Sequence, residues 1–413
     1  MSDAHAPVGT LRGNLRHLPR AAWFLIGGAF LNRFASFAVV FLVLYLTRLG
    51  TSIQNAGVAV AVWGAGEVLA SVIGGHLADR VGRRDTIVLS MVASAAAMVV
   101  IAEVHSYAAI VPVAFVAGLS SEMYRPAGAA LLADLVPAGQ RVTAFAALRL
   151  AVNLSIAAGA AVAGFLANHA ITWVFLSDAA TSVLFVIVAV TTLPRGRRTA
   201  QADDTALRGY RNALRDRAFT LFLVASALAA FVYFQQQSTL PLHVRASGLS
   251  NADFGLLLSL NGILVVAFEL PLSALTMRLP PRAMIALGFV LVGVGFGLTA
   301  VSHSLTALMA TVAIWTLGEM IGAPIGYAYV ADVAPENLRG RYQGLYGLCW
   351  SSGVVTGPAI GAMLFAWRPT SLWTICGLVG AVAALLVWST RPGKARRRDL
   401  FPAAPHTGPG NKP

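Results

Sequence analysis

Long apolar runs separated by short polar stretches fill most of the 413-residue chain. Each run is about 20 residues or longer, which is the length that a helix needs to cross the hydrocarbon core of a bilayer. Turn-forming Gly and Pro residues fall between the runs or at their ends. The pattern predicts an all-α membrane protein whose twelve transmembrane helices cover residues 21–46, 55–78, 86–104, 107–131, 142–167, 171–193, 219–242, 252–277, 283–302, 306–331, 341–366 and 370–390.

A polar segment over 194–218 divides the runs into two sets of six. Its second part either forms an amphipathic helix on the membrane surface or belongs to a disordered basic linker. The five regions expected are a cytoplasmic N-tail (1–20), a first six-helix bundle (21–193), a cytoplasmic basic linker (194–218), a second six-helix bundle (219–391) and a disordered cytoplasmic tail (392–413).

The two halves of the chain show an internal repeat. When the first half is shifted by 198 residues, "ADLVPAGQR" (133–141) aligns with "ADVAPENLR" (331–339). Asp134 then meets Asp332, and Arg141 meets Arg339. Such a duplicated six-helix unit is typical of secondary transporters, which place their substrate between the repeats near the middle of the membrane.

Basic residues outnumber acidic residues by 30 to 17, giving a net charge of +13. Most of them lie in the tails, the linker and the loops on one side of the predicted helices. The positive-inside rule assigns that side, with both termini, to the cytoplasm, and it argues against a nucleic-acid partner. Arg is used far more than Lys in a chain rich in Ala and Gly, so we expect the inner membrane of a bacterium.

Residues for enzymatic chemistry are not apparent. Cys349 and Cys376 lie inside apolar runs, and no His/Cys cluster has the spacing of metal ligands. The chain has no G-x-x-x-x-G-K-[ST] loop for ATP phosphates. We therefore expect neither a metal, nor a cofactor, nor enzymatic activity.

"GGHLADRVGRR" (74–84) stands at the end of the second apolar run. It resembles the G-x-L-a-D-r-x-G-R-[RK] signature of the major facilitator superfamily. The resemblance implies two pseudo-symmetric six-helix bundles (the major facilitator fold), with Asp79 accepting hydrogen bonds from backbone at the start of span 11. That contact would join the halves on the cytoplasmic side. The residues of this cytoplasmic gate motif are Gly75, Asp79, Arg80, Gly82, Arg83 and Arg84. In the second-half copy "SALTMRLPPRA" (273–283), Met277 replaces the acid, so a weaker contact is expected.

Charged residues inside membrane spans are functional candidates because each costs about 2.5–3.5 kcal/mol to insert. Glu319 is the favoured proton carrier, since no Arg or Lys lies within two turns on its own helix and burial without a partner favours a protonated carboxyl. A mid-span acid in span 10 also resembles bacterial multidrug/proton antiporters. The full set of proton-coupling candidates is Glu319, Glu122, Glu67 and Glu269.

Several of these charges have candidate partners. Glu122 and Arg125 share one helix face and can pair. Arg33 and Glu67 either pair with each other or face the cavity, and Arg149 is expected to bridge to span 4. The residues proposed to line a substrate cavity are Arg33, Arg125, Tyr124, Phe234, Gln235, Trp315, Tyr327 and Trp350. For these aromatic and amide residues, the alternative is hydrogen bonds between helices and an aromatic belt near the outer face.

These features favour a proton-coupled exporter of small apolar or cationic organic compounds that works by alternating access. The expected partners are a small-molecule substrate, protons and the lipid bilayer, and the chain is expected to be monomeric. One feature argues against antiport: the G-x-x-x-G-P-x-x-G run usual in span 5 of antiporters appears instead in span 11, over 353–361. The alternative is a symporter or uniporter of sugars, amino acids or lipids. A sensor or scaffold fits least.

Overall fold

The structure is a computed structural model that describes residues 11–195 and 206–390, and every regular element within these ranges is a helix. In chain order the α-helices are α1 (Leu11–Arg16), α2 (Arg20–Ala35), α3 (Ala38–Arg48), α4 (Ile53–Arg80), α5 (Arg83–Glu103), α6 (Tyr107–Leu135), α7 (Arg141–His169), α8 (Thr172–Thr192), α9 (Ala206–Arg215), α10 (Arg217–Tyr233), α11 (Gln235–Ser238), α12 (Leu240–Ala246), α13 (Asn251–Thr276), α14 (Pro281–Leu298), α15 (Leu305–Val333), α16 (Arg339–Trp367) and α17 (Pro369–Ser389).

Twelve of these helical segments are long and apolar enough to cross a membrane, which confirms the predicted number. Span 1 consists of α2 and α3, spans 2 to 6 are α4 to α8, span 7 consists of α10 and α11, and spans 8 to 12 are α13 to α17. Spans 1–6 form the first half of the molecule and spans 7–12 the second. The expected tails and the first part of the linker lie largely outside the described residues.

Two spans are interrupted where the sequence pattern predicted continuous helices. Span 1 breaks at Ser36 and Phe37, and a Cβ built on Gly159 of span 5 would lie only 2.8 Å from the Phe37 ring. The missing side chain therefore lets span 5 pack directly on the break. Span 7 breaks at Phe234, between α10 and α11. Beyond it, Pro241 stands in the first turn of α12, where its missing N–H needs no partner.

The ends of spans 2, 4, 10 and 11 meet on one side of the molecule, which we call the basic face. Its arginines are Arg80, Arg83, Arg84, Arg141, Arg339 and Arg341. Helix α9, in the linker, packs there as well. The Tyr210 hydroxyl donates to the carbonyl of Val72 over 2.9 Å, and burial raises the pKa of Tyr210 to about 12, so the donor keeps its proton. Ala213 is fully buried in the apolar core of the second half, so the linker helix contacts both halves.

Candidate functional site

Arg149 of span 5 reaches across the molecule to two carboxylates of the second half. Its Nε lies 2.8 Å from Glu269 Oε1 in span 8, and its Nη2 lies 3.0 Å from Glu319 Oε1 in span 10. The predicted bridge from Arg149 to span 4 is therefore wrong. Glu319, which has no base nearby on its own helix, therefore has a basic partner in Arg149 of span 5. The three charges connect the two halves in the middle of the spans.

Glu319 is held by two further donors from its own half. The Tyr233 hydroxyl donates to Oε1 over 3.0 Å, and Asn261 Nδ2 donates to Oε2 over 3.2 Å. Asn261 also contacts Thr316 Oγ1 at 3.0 Å. Tyr233 and Asn261 were not predicted, because a tyrosine or a single amide in an apolar run shows its role only when its neighbours on other helices are known.

The cluster carries unequal charge. One guanidinium faces two carboxylates, and the side chain of Glu269 is completely buried while that of Glu319 is 7% exposed. Glu269 Oε2 has no hydrogen-bond partner within the described part of the chain. If both acids were ionised, one negative charge would remain uncompensated in a medium of low dielectric constant, which is strongly unfavourable. A bound proton or a cationic ligand would remove that charge.

A second ionic cluster lies within the first half. Glu122 accepts from Arg33 and from Arg125, each over 2.7 Å. Arg33 thus pairs with Glu122, and the expected alternative pairing with Glu67 is wrong. Glu67 instead accepts from Trp63 Nε1 of its own helix at 3.0 Å. The Arg125 side chain is 46% exposed, so this cluster remains accessible.

Three predicted cavity residues lie in the packed interior instead. Trp315 is 1% exposed and stacks on Phe296. Gln235 is fully buried, and its Nε2 donates to the carbonyls of Phe231 and Gly357. Tyr124 packs edge-on against Phe185. Gln235 thus makes a hydrogen bond between helices, which was its alternative. The two rings pack inside the molecule and do not form an aromatic belt near the outer face.

The other aromatic candidates keep partly exposed side chains. Phe234 and Trp350 pack edge-to-face with each other and with Tyr233, the donor to Glu319. Tyr327 stacks on Phe145 of span 5, with ring centroids 5.4 Å apart, and so joins the two halves. Tyr233, Phe234 and Trp350 thus place apolar ring surface beside Glu319.

Asp79 joins the halves at the basic face. Its Oδ1 accepts from the Gly340 amide at 2.8 Å, and its Oδ2 accepts from the Arg341 amide at 2.9 Å. Both donors stand in the first turn of α16, where the helix dipole favours an anion. A Cβ built on Gly75 would lie 3.1 Å from Gly344 Cα, so glycine is needed for spans 2 and 11 to approach this closely.

Two reciprocal ion pairs extend this contact. Arg339 lies 2.5 Å from Asp134 in the first half, and Arg141 pairs with Asp332 in the second. The 198-residue shift converts one pair into the other. The sequence repeat identified these four residues but not that they pair across the halves. We call Asp79 and these two ion pairs the basic-face latch.

The remaining residues of the gate motif have different roles. Arg83 pairs with Asp134 and donates to the carbonyl of Glu336 at 2.7 Å. Gly82 has a φ of 114°, a backbone conformation that favours glycine. Arg84 pairs with Asp85 of its own helix, and Arg80 is exposed.

The second-half copy of the motif makes a weaker contact. Met277, which corresponds to Asp79 under the repeat shift, accepts from Thr143 Oγ1 at 3.5 Å through its sulfur. A thioether is a poor acceptor compared with a carboxylate. The latch is therefore asymmetric between the two repeats.

Asp178 of span 6 is a buried acid that sequence reasoning missed. Its side chain is 2% exposed, inside the first half. The only signal in the sequence was a lone acid in the apolar run "VFLSDAATS". An acid inside an apolar run is the same signal that selected Glu67, Glu122, Glu269 and Glu319.

Comparison with known proteins identifies the family. The sequence model of the Major Facilitator Superfamily matches residues 25–250 and 238–409. The MFS-type transporter YqjV of Bacillus subtilis (strain 168) is 28% identical over 367 residues, covering 86% of this chain and 89% of the relative. A Na(+), Li(+), K(+)/H(+) antiporter of Planococcus maritimus is 24% identical, with 87% and 92% covered.

Two further proteins are similar along most of their length. The multidrug resistance protein MdtH of Salmonella paratyphi C (strain RKS4594) is 23% identical, with 87% of this chain and 91% of that protein covered. The crystal structure of a bacterial homologue of the iron transporter ferroportin superposes with a TM-score of 0.75 at 18% identity, covering 90% of this chain and all of that one. At this identity, the structural similarity shows that the two proteins share a fold.

Proposed function

The chain belongs to the major facilitator superfamily of transporters, and we propose that it exports small apolar or cationic organic compounds in exchange for protons. It is a multi-pass membrane protein that moves a small-molecule substrate. By the positive-inside rule we assign the basic face, and with it both termini, to the cytoplasm.

The observation that carries the proposal is the sharing of Arg149 between Glu269 and Glu319. Because one arginine cannot neutralise two buried carboxylates, the site favours binding one proton or one cation. A proton and a cationic cargo then compete for the same negative charge, which is the requirement for exchange.

Proton binding at this site also changes how strongly the two halves are held together. Arg149 belongs to the first half and both acids to the second, so protonation of either acid weakens a bond that holds the halves together. The aromatic side chains of Tyr233, Phe234 and Trp350 provide an apolar and cation-attracting surface beside Glu319. An apolar cation fits this combination better than a sugar does.

The basic-face latch indicates which side of the molecule is closed. Asp79 and the two reciprocal ion pairs close the molecule on the proposed cytoplasmic side. We therefore assign the conformation as outward-facing. The relatives described as a multidrug resistance protein and a cation/proton antiporter support the same class of activity.

Uptake or exchange of an organic anion is the second candidate. Two arginines, Arg33 and Arg125, share Glu122 in the first half, and the Arg125 side chain is 46% exposed. A guanidinium in that position can bind a carboxylate or phosphate. Substrate screens with cations and anions in parallel distinguish the two candidates.

The test uses purified protein in proteoliposomes with an imposed pH gradient. Glu319→Gln keeps the shape of the side chain but cannot exchange the proton, so gradient-driven flux of an organic cation is expected to fall at least about tenfold, while the cation still binds with a lower affinity that no longer depends on pH. Glu103→Gln, at an exposed position outside the cluster, is the control. Unchanged gradient-driven flux in Glu319→Gln would contradict the assignment.

A further inference from the structure

An apolar groove lies between spans 8 and 10 and faces away from the Arg149 cluster. Its volume is about 410 Å³, which is within the range of about 300–1,000 Å³ found for small-molecule sites. Phe268 and Leu275 are 53% and 66% exposed along it. We call it the span 8–10 groove; its main lining residues are Leu264, Phe268, Leu272, Leu275, Ala313 and Leu317.

The internal repeat explains why this groove exists in the second half. In the first half, spans 2 and 4 correspond to spans 8 and 10 and touch through glycines. A Cβ built on Gly66 would lie 2.7 Å from the Leu119 amide nitrogen, and one on Gly118 would lie 2.8 Å from the Trp63 carbonyl carbon. Backbone contact of this kind closes the space between the two helices.

The 198-residue shift replaces these glycines with larger residues in the second half. Gly66 becomes Leu264, Gly74 becomes Leu272 and Gly118 becomes Thr316. Leucine side chains prevent spans 8 and 10 from approaching as closely as spans 2 and 4 do, since helices pack at a distance set by the side chains between them. The sequence difference between the two repeats therefore accounts for the groove in the second half.

The inner side of the same helix pair carries the carboxylates. Asn261 of span 8 joins span 10 through Thr316 and Glu319. Glu269 follows Phe268 in the chain, and Met320 follows Glu319. One helix pair, joined at this level by the hydrogen bonds of Asn261, separates the apolar groove from the unbalanced negative charge.

We propose that the span 8–10 groove is the entry site at which a lipophilic organic cation dissolved in the bilayer docks before it reaches Glu319. The apolar body lies against Leu264, Leu272 and Phe268, while the negative charge of the Glu269 and Glu319 pair attracts the cationic group. Passage requires Asn261 to release Thr316 and Glu319. The inference rests on the proposed function for its cargo, and on the groove and the repeat for its location.

Site-specific photocrosslinking in liposomes tests the docking step. The full-length chain carries a benzophenone amino acid at Leu272, or as a control at Leu385, which is 66% exposed on span 12. The probe is tritiated butyltriphenylphosphonium, whose alkyl C–H bonds are the ones into which photo-excited benzophenone inserts. Labelling at position 272 is expected to saturate and to be displaced by excess unlabelled cation, whereas labelling at position 385 is expected to rise linearly with the probe in the lipid.

Two outcomes would overturn the proposal. Non-saturable labelling at position 272, equal to that at 385, would mean that the probe is only dissolved in the bilayer. Crosslinking of position 272 to phospholipid, unchanged by added cation, would mean that lipid is the occupant. Neither readout needs a proton gradient.

A filling variant gives an independent test. Ala313→Phe introduces the residue that the first half already has at the equivalent position, Phe115. It is expected to abolish saturable labelling at position 272 and to raise the cation concentration for half-maximal transport at least about tenfold. Val382→Phe, on the exposed face of span 12, is the control. Normal labelling and transport in Ala313→Phe would contradict the entry site.

The two proposals can fail separately. Saturable labelling at position 272 in a protein without gradient-driven flux would contradict proton coupling and support the groove. Gradient-driven flux that depends on Glu319, together with non-saturable labelling at position 272, would contradict the groove alone.

Discussion

Arg149 Nη2 of the first half lies 3.0 Å from Glu319 Oε1 of the second half. The same guanidinium holds the buried Glu269 at 2.8 Å. The ionisation of two acids in one half is thereby linked to the position of an arginine in the other. A change in the number of bound protons is therefore also a change in the attraction between the halves.

Cation binding is expected to depend on pH in the wild type and to lose that dependence in Glu269→Gln. In the wild type, a proton and a cation compete for the surplus negative charge, so affinity for tetraphenylphosphonium rises as pH rises. Removing one carboxylate leaves Arg149 and Glu319 as a balanced pair, and affinity becomes lower and flat with pH. Equilibrium binding at pH 6 and pH 8 measures this; a pH dependence equal to that of the wild type would contradict the shared-charge account.

Arg149→Met is expected to destabilise the protein by about 3–5 kcal/mol, because it leaves buried carboxylates without their counter-ion. The triple variant Arg149→Met/Glu269→Gln/Glu319→Gln removes all three charges and is expected to recover most of that stability without recovering gradient-driven flux. Thermal unfolding in detergent and flux in liposomes measure the two effects. If the triple variant were no more stable than Arg149→Met, the loss would arise from packing and not from charge.

The sequence predicted the helices and the role of Asp79 better than it predicted the partners in the membrane. Apolar runs of sufficient length have few alternatives to a spanning helix, and Asp79 belongs to a contiguous motif. The partners of Arg149 and Arg33 lie on other helices, at separations along the chain that no local pattern encodes. Glu319 was singled out because its own helix lacks a base, yet span 5 supplies one. Only the packing of the helices could show that.

Met277→Asp is expected to strengthen closure of the basic face by restoring the acid that the second repeat lacks. Met277 already contacts Thr143, two residues into α7, and a carboxylate there could accept from backbone N–H groups as Asp79 does at α16. The outward-facing population should rise and transport should slow. Alkylation of a cysteine placed near the basic face reports the change, with Leu279→Asp as the exposed control. Faster alkylation in Met277→Asp than in the wild type would contradict the prediction.

His243 provides a test on the opposite side of the molecule, beyond span 7. Trp373 Nε1 can only donate, so His243 Nδ1 accepts from it at 3.1 Å, and His243 Nε2–H must then donate to the Ser302 carbonyl at 2.9 Å. The imidazole is thus held neutral. Burial lowers the pKa of His243 below its usual 6.5; the Ser302 carbonyl opposes the shift and the neighbouring His303 adds to it.

Stability is expected to fall as pH falls through the interval below 6.5, because the unfolded chain takes up a proton there that native His243 refuses. Above 6.5 both states are neutral at this residue and its contribution is constant. His243→Gln should unfold at a lower temperature at pH 7.5 but lose less on acidification to pH 5.5 than the wild type. His169→Gln, at an exposed histidine bonded within its own helix, is the control. Equal pH dependence of the unfolding temperature in wild type and His243→Gln would show that the Trp373–His243–Ser302 contact does not control acid stability, since the loss would then come from other groups.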